Sequence, residues 1–404
     1  MKILMCCENY PPSVGGVQEV MRQIAERLVG FADEVTVVTS AHEKRSDDTV
    51  LNGVRVVSFP IRGNSVRGYS GPVQKYKDFI ASGGYDAILI KAAQQWSFDL
   101  AVDVLPNGCR KVFIPCGFSG LESKAYSAYY KEMPRWLERF DELIFYSENY
   151  KDIDFARKHG FVNFHIIPNG VDEREFFTGS ISREAADTID SPDQDVLLSV
   201  GSLIAAKGHW EVVRAFGLAS LSRPALLVIN GNAPGGGVLS GVKRTLKNLI
   251  YGRLPITFEV FLLNAIWKIL AIDKSIKIVD LKRSDLISLY KRANLFVFVS
   301  HVEYSPLVVF EAAAAGTAFI LSSAGNCREI AQWTGGGCVL PPSGRAGAKV
   351  SISQLTDALE KVLLDRSKLI EQGKEARKSI EARGLTWSLI AAQYRRILLG
   401  NSGQ

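Results

Sequence analysis

Short apolar runs alternate with stretches of helical period along the first half of the chain. Ile3–Cys7, Glu34–Thr39, Val54–Phe59, Ala87–Ile90, Lys111–Ile114, Leu143–Tyr146 and His165–Ile167 read as strands. The first is almost unbroken in apolar character, as a strand covered on both faces is. Between the first two, Val17, Val20, Met21, Ile24, Ala25 and Leu28 recur at helical spacing, and Gly30 marks a stop. Strand, helix, strand in this rhythm specifies a parallel sheet covered by helices. The series closes on the turn residues Pro168-Asn169-Gly170-Val171-Asp172, and a polar run rich in Ser and Asp, Thr178–Asp195, follows.

A second series comprises Val196–Val200, Ala225–Ile229, Ile276–Val279, Leu295–Val299 and Ala318–Leu321, separated by helices such as Trp210–Leu221 and Ser284–Arg292. The pattern predicts an α/β protein of two Rossmann-like, doubly wound domains, residues 1–177 and residues 178–383, facing across a cleft. The stretch Ser351–Leu399 reads as successive helices, the last of which, within residues 384–404, is expected to cross back to the first domain. Ligands of such open sheets sit outside the carboxyl ends of the strands.

One segment, residues 233–275, breaks the rhythm. It holds Gly235-Gly236-Gly237, then Lys243, Arg244, Lys247 and Arg253, then an apolar piece in which Phe258, Phe261, Leu262, Ala265, Ile269 and Ile272 share one helical face. Glu259, Asn264 and Lys268 interrupt that piece and argue against a spanning helix. A basic flank beside an aromatic, apolar helix suits peripheral contact with a membrane through residues 242–272. Packing on the protein's own core or on a second subunit is the alternative.

Composition narrows the picture. At 404 residues the chain exceeds one ordinary core. Its 47% hydrophobic and 22% charged residues are those of a globular protein. The formal charge of +6 suits phosphorylated small molecules or an anionic membrane face and is too weak to point to nucleic acid. Four of the six cysteines (Cys6, Cys7, Cys109, Cys116, Cys327 and Cys338) lie in or beside apolar runs, as buried free thiols do. The apolar run at the N-terminus is too short for a secretion signal. The expected location is the cytoplasm, extending to the inner face of the plasma membrane.

The stretch from Ser300 to Thr317 carries the most chemistry. It follows a strand, and Pro306 marks a helix start whose first-turn N–H groups suit a diphosphate. Glu303 falls in the loop before that helix, and Glu311 lies one to two turns in, followed by Ala312–Ala315. A carboxylate there is costly to bury without partners. Ribose hydroxyls or a structural arginine would each satisfy it.

Glu303, seven residues, Glu311, then a small-residue helix ending in Gly316-Thr317 resembles the donor signature of the family 4 retaining glycosyltransferases (group 1 glycosyl transferases), which adopt the GT-B fold. Three further stretches resemble that family in order and spacing. Tyr10-Pro11-Pro12 with Gly15-Gly16-Val17 is similar to its N-terminal glycine loop, Pro168–Asp172 to its end-of-first-domain motif, and Val200-Gly201-Ser202-Leu203 with Lys207-Gly208 to its phosphate-binding loop. The resemblance implies a hexosyl-type transferase acting on a nucleotide-sugar donor, with retention, no metal and no cofactor beyond that co-substrate. It implies a glycan or lipid-linked acceptor, in cell-surface polysaccharide or glycolipid synthesis. By position, Glu303 would contact the donor sugar or its phosphate and Lys207 would neutralise the departing diphosphate, these two being the catalytic candidates. Gly15, Gly16, Ser202, Ser305, Pro306, Leu307, Val308, Glu311 and Asn326 would complete the donor site, with Glu329 lining the same pocket, and Cys116 would lie on the acceptor side.

Two positions depart from the family. Ser202 stands where an arginine is common, a loss that Arg283 or another base would have to offset. Cys116, in Pro115-Cys116-Gly117-Phe118, stands where a histidine is common. Both favour a rival reading, a degenerate binding or scaffold subunit, whereas Glu303, Glu311 and Lys207 favour catalysis. A nucleotide-sugar epimerase shares the two-domain plan and fits the donor motif less well. Asp152-Ile153-Asp154 and Asp193-Gln194-Asp195 have a spacing that metal-dependent transferases use, and read better as solvated acids. The five histidines show no metal-ligand spacing, and the chain has neither a nucleophile elbow nor a Walker-type lysine loop.

Overall fold

The computed structural model describes residues 1–178, 193–232, 254–344 and 347–400. The Gly235–Gly237 run, the basic residues Lys243, Arg244, Lys247 and Arg253, and most of the polar run after Thr178 lie outside the described residues. The chain divides into two compact units, Met1–Asp172 with Gly384–Gln404, and Glu173–Arg383.

The first unit is built on β1 (Lys2–Cys6), β2 (Glu34–Ser40), β3 (Asp48–Leu51), β4 (Val54–Phe59), β7 (Ala87–Lys91), β8 (Arg110–Ile114), β9 (Glu142–Phe145) and β10 (Phe164–Ile166). They form one sheet in the order β10-β9-β8-β7-β1-β2-β4-β3, parallel except for β3 on β4. β1 lies mid-sheet with Ile3, Leu4, Met5 and Cys6 inaccessible to solvent, which explains its unbroken apolar run. The strands that the pattern does not announce are the polar edge strand β3 and the three-residue hairpin β5 (Arg62–Asn64) and β6 (Gly68–Ser70). Edge strands half in water carry little apolar signal.

The helix Trp387–Leu399 packs on this unit. Val171 donates its N–H to the Leu385 carbonyl at 3.1 Å, and Trp387 donates back to the Val171 carbonyl at 2.9 Å. The Pro168–Asp172 motif is therefore a docking strap for the last helix. Arg395 reaches Asp33 at 2.7 Å, and the Met1 amino group shares that carboxylate at 3.3 Å. Trp387, Ile390, Ala391 and Tyr394 bury the apolar face.

The second unit holds β11 (Asp195–Val200), β12 (Ala225–Asn230), β13 (Lys274–Val279), β14 (Leu295–Phe298), β15 (Ala318–Ser322) and β16 (Gly337–Leu340), all parallel, in the order β13-β12-β11-β14-β15-β16. β16 was not expected: its residues are only half-buried. The order reverses between β11 and β14, so a topological switch point opens at their carboxyl ends.

Two acids read as solvated are buried instead. Asp152 is fully buried and accepts the Gly117 N–H at 2.7 Å, and Asp195 belongs to β11, where Arg366 holds it at 2.9 Å. Residue type suggested water; a tertiary partner replaced it.

The helix Ile256–Ile269 turns Ile256, Val260 and Trp267 inward. The polar residues that interrupt it are what seats it. Glu259 pairs with Arg214 at 2.7 Å, and the Asn264 side chain exchanges two 2.9 Å hydrogen bonds with the Ile276 backbone of edge strand β13. The apolar stripe, read as suited either to a membrane surface or to packing, faces water: Phe258 is 48% exposed, Phe261 66% and Ile269 81%. Packing of that stripe on the protein's own core is therefore overturned. No helix among the described residues is long and apolar enough to cross a membrane.

Truncating the last helix's anchor tests the strap. Trp387→Ala should lower unfolding stability by about 3–5 kcal/mol, the usual cost of emptying a buried indole site, read as an earlier urea midpoint.

Candidate functional site

The switch point gathers three loops of the second unit, leaving the carboxyl ends of the neighbouring strands β11, β14 and β15. The first runs from Gly201 through the 3₁₀ turn Ala205–Lys207 to Gly208, the N-cap of helix His209–Leu218. The second runs from Val299 to Pro306, the N-cap of helix Leu307–Ala315. The third runs from Ser323 to Asn326, the N-cap of helix Cys327–Thr334.

Backbone contacts stitch these loops together. The Ala206 carbonyl accepts both the His301 N–H at 2.7 Å and the Ser300 hydroxyl at 3.0 Å. Gly208, at φ +75°, lies so close to Val299 that a Cβ would stand 2.2 Å from its carbonyl oxygen. Gly325, at φ +57°, meets the Tyr304 carbonyl at the same distance. Both positions need glycine for conformation and for space. Asn326 donates its backbone N–H to the Tyr304 carbonyl at 2.8 Å and its side-chain amide to the Ser305 hydroxyl at 3.2 Å.

On this frame Lys207 and Glu303 meet, Nζ to Oε1 at 2.6 Å. The helix that follows begins at Leu307 with no side-chain cap, so its first N–H groups and the positive end of its dipole are available to an anion. Ser305, Pro306, Leu307 and Val308 form that start. Ser202 sits in the first loop, and Glu329 is buried in the first turn of the helix after Asn326.

Glu311, 7% exposed, has the arginine partner that the sequence left as one of two readings: Arg283 contacts it at 2.7 Å and Glu175 at 2.6 Å. Burial works against the Arg283 charge, but Glu311 and Glu175 outweigh it and hold its pKa above the ordinary arginine value. Arg283 is thus committed to two carboxylates, not placed to offset Ser202.

Sequence reasoning passed over His209. It is wholly buried, its Nδ1 3.1 Å from the Ser199 hydroxyl and its Nε2 3.0 Å from the Gly201 carbonyl. Burial pushes its pKa down to about 4, so the neutral ring holds the turn at Gly201. Its place beside Lys207-Gly208 was the available signal. His301, in the second loop, lies 3.5 Å from Glu211.

The remaining candidates belong to the first unit. Gly15 and Gly16 are exposed at the start of helix Gly16–Gly30, where a Cβ on Gly15 would meet only the flexible end of Gln18. Cys116 follows β8 at φ +64°, and burial raises its thiol pKa against the opposing pull of Lys91. Lys91, itself buried with its pKa lowered by burial, donates to the Tyr146 hydroxyl at 2.7 Å.

Residues 182–379 match the family model for glycosyl transferases group 1, and residues 14–175 match that for Glycosyltransferase Family 4. The uncharacterised glycosyltransferase MJ1607 of Methanocaldococcus jannaschii is 26% identical over 357 residues, 82% of each chain. Among solved structures, sucrose-phosphate synthase from Thermosynechococcus elongatus superposes with a TM-score of 0.70 at 19% identity over 99% of both chains. WaaG, a glycosyltransferase involved in lipopolysaccharide biosynthesis, gives 0.66 at 18% identity over 98% of this chain and 100% of its own. Anabaena HepE, solved with UDP and glucose, gives 0.68 at 16% over 99% and 100%. The fold is GT-B.

His209 gives the site a pH signature. Its folded pKa, about 4, lies below the ordinary value of 6.5, so the unfolded chain binds the extra proton between those pH values. Its contribution is complete above about pH 6.5 and is lost as pH falls towards 4, about 3 kcal/mol in all. His209→Gln should therefore lose less stability than the parent chain between pH 7.5 and pH 4.5, measured by urea unfolding; equal losses would remove His209 from the account.

Proposed function

We propose, for a chain that belongs to the family 4, group 1 glycosyltransferases, that it is a retaining, hexosyl-type transferase that draws on a nucleotide-sugar donor bound at the switch point of the second unit. The observation that carries this reading is the Lys207–Glu303 contact beside the uncapped start of helix Leu307–Ala315. A cation and a set of backbone N–H groups there await an anion.

In this reading the donor diphosphate lies against the helix start formed by Ser305–Val308. Lys207 turns from Glu303 to the phosphate oxygens and stabilises the charge that grows as the bond to the anomeric carbon breaks. With Ser202 in the place of an arginine and Arg283 held by two carboxylates, that work falls to Lys207 and the helix start, without a bound metal. Glu303 orients the donor sugar, and Glu311 accepts from ribose hydroxyls while Arg283 holds its carboxylate in place. Asn326 fixes Ser305. Gly15 and Gly16 let backbone approach the ligand, and Cys116 lies on the acceptor side. UDP-linked sugars are the donors to test first, because HepE was solved in complex with UDP-glucose.

The acceptor in this reading is a glycan or lipid-linked precursor of a cell-surface polysaccharide or glycolipid, met at the inner face of the plasma membrane. Support comes from the outward face of helix Ile256–Ile269, where Phe258, Phe261, Ile266 and Ile269 are exposed. The sequence just before it, residues 242–253, carries Lys243, Arg244, Lys247 and Arg253 and no acid. Apolar area plus basic charge is the recipe for a peripheral helix on anionic lipid.

Lys207→Met should lower the turnover number by about 10²–10³-fold with thermal stability nearly unchanged, as judged by donor consumption and a melting curve. Undiminished turnover would take Lys207 out of the reaction. A parent chain that is stabilised by a nucleotide sugar yet consumes none would leave the binding-subunit reading in its place.

Phe261→Asp with Ile269→Asp should weaken flotation with phosphatidylglycerol vesicles by about tenfold or more, given the apolar area removed from the contact. Unaltered flotation would rule this helix out as the anchor.

A further inference from the structure

A cavity lies in the first unit, at the turn Lys124–Tyr126 and the start of helix Ser127–Leu137. It measures about 550 Å³ and is lined by Ser123, Lys124, Ser127, Tyr130, Lys131 and His159, with Glu122 as the acid at its wall. That volume suits a monosaccharide carrying a charged substituent.

Its charge is unbalanced. Glu122 is engaged by Lys151 at 3.0 Å, and among the described residues neither Lys124 nor Lys131 has a carboxylate partner. Two ammonium groups thus share a concave surface with two serine hydroxyls. The helix Ser127–Leu137 starts there without a side-chain cap, which adds the positive end of a dipole.

The floor is rigid. Tyr130 is buried, and its hydroxyl donates to Gln94 Oε1 at 2.9 Å. That oxygen also accepts from the Gly120 N–H at 3.1 Å and the Ser119 hydroxyl at 3.2 Å. The Tyr130 ring packs edge-on against Phe118 and Phe155, and His159 lies 4.4 Å from the Phe155 ring. A fixed aromatic floor beside exposed lysine arms and hydroxyls is a setting in which a sugar ring is held by shape and its phosphate by charge.

We propose that this cavity binds the phosphate group of a phosphorylated ligand and, resting on the transferase reading, that the ligand is the acceptor. The phosphate lies between Lys124 and Lys131, capped by Ser123 and Ser127. The sugar or glycerol part rests on Tyr130. Phosphate on a soluble sugar and phosphate on a lipid headgroup present the same chemistry to these residues.

Calorimetric titration of the full chain with glucose 6-phosphate, with monomeric short-chain phosphatidic acid and with glucose tests this. At least one of the two phosphates should bind and glucose should not. K124Q/K131Q should bind that phosphate about tenfold or more weakly, with its melting temperature and its thermal shift by UDP-sugars unchanged. Loss confined to glucose 6-phosphate assigns a soluble acceptor; loss confined to phosphatidic acid assigns a lipid. The site is overturned if the parent chain binds neither phosphate, or if K124Q/K131Q keeps the parent affinity for both. Absence of any nucleotide-sugar shift in the parent chain would instead sink the transferase reading and leave the phosphate site standing.

Discussion

The second unit's site depends on one close approach, that of Gly208 to the Val299 carbonyl. Neighbouring strands of a sheet lie only about 4.8 Å apart, so loops leaving the carboxyl ends of β11 and β14 must either diverge or touch. Here they touch, because one of them gives up its side chain at a left-handed position. The Ala206 carbonyl can then take two donors from the partner loop. Lys207 and Glu303, far apart in sequence, reach contact as a result. The neutral His209 behind them holds Gly201 from the core side, where a charged ring would be costly.

Two cation–carboxylate arrangements in this unit play different parts. Arg283 is gripped by two acids, and Glu311 gains most: a buried carboxylate is tolerated only with such a partner, while the guanidinium keeps part of its surface in water. Lys207 contacts the Glu303 carboxylate, and about a quarter of its side chain is in water. A lysine's flexible stem lets it change partners at small cost. The Arg283 arrangement is fixed from two sides, and the Lys207–Glu303 contact rests on a side chain that can re-aim.

Much of the fold was legible because buried parallel strands announce themselves. The apolar runs at β1, β7, β11, β12 and β14 lie within a residue or two of the observed strands. β3, β5, β6 and β16 were not legible, since edge strands partly in water draw their stability from backbone pairing that leaves no pattern in the side chains. Asp152 and Asp195 misled for the opposite reason. An acid's type predicts solvation, and only the fold brings Gly117 or Arg366 to it. Periodicity found the stripe of helix Ile256–Ile269 but not its direction. That helix is apolar on most of its circumference, and Asn264, read as an interruption, decides which side meets β13. The same limit applied to Glu311: its position on an apolar helix required a partner, but the choice of Arg283 was a matter of helix packing.

The first unit handles its strand ends differently. At the carboxyl ends of β7 and β8, Ala92, Gln94, Cys116 and Phe118 all take positive φ without being glycine. Each such residue costs on the order of 1–3 kcal/mol and persists only where its surroundings over-determine it. They do so here: Ala92 donates to Ile114, Gln94 donates its N–H to the Tyr129 hydroxyl and accepts three bonds on its side chain, and Asp152 pins Gly117. Backbone placement at Cys116 is therefore set by its neighbours rather than by its own side chain. Exchanging an imidazole for a thiol there changes the hydrogen bonds offered to a ligand while leaving the loop where it is. A loop so built can change the chemistry of one side chain without moving its backbone.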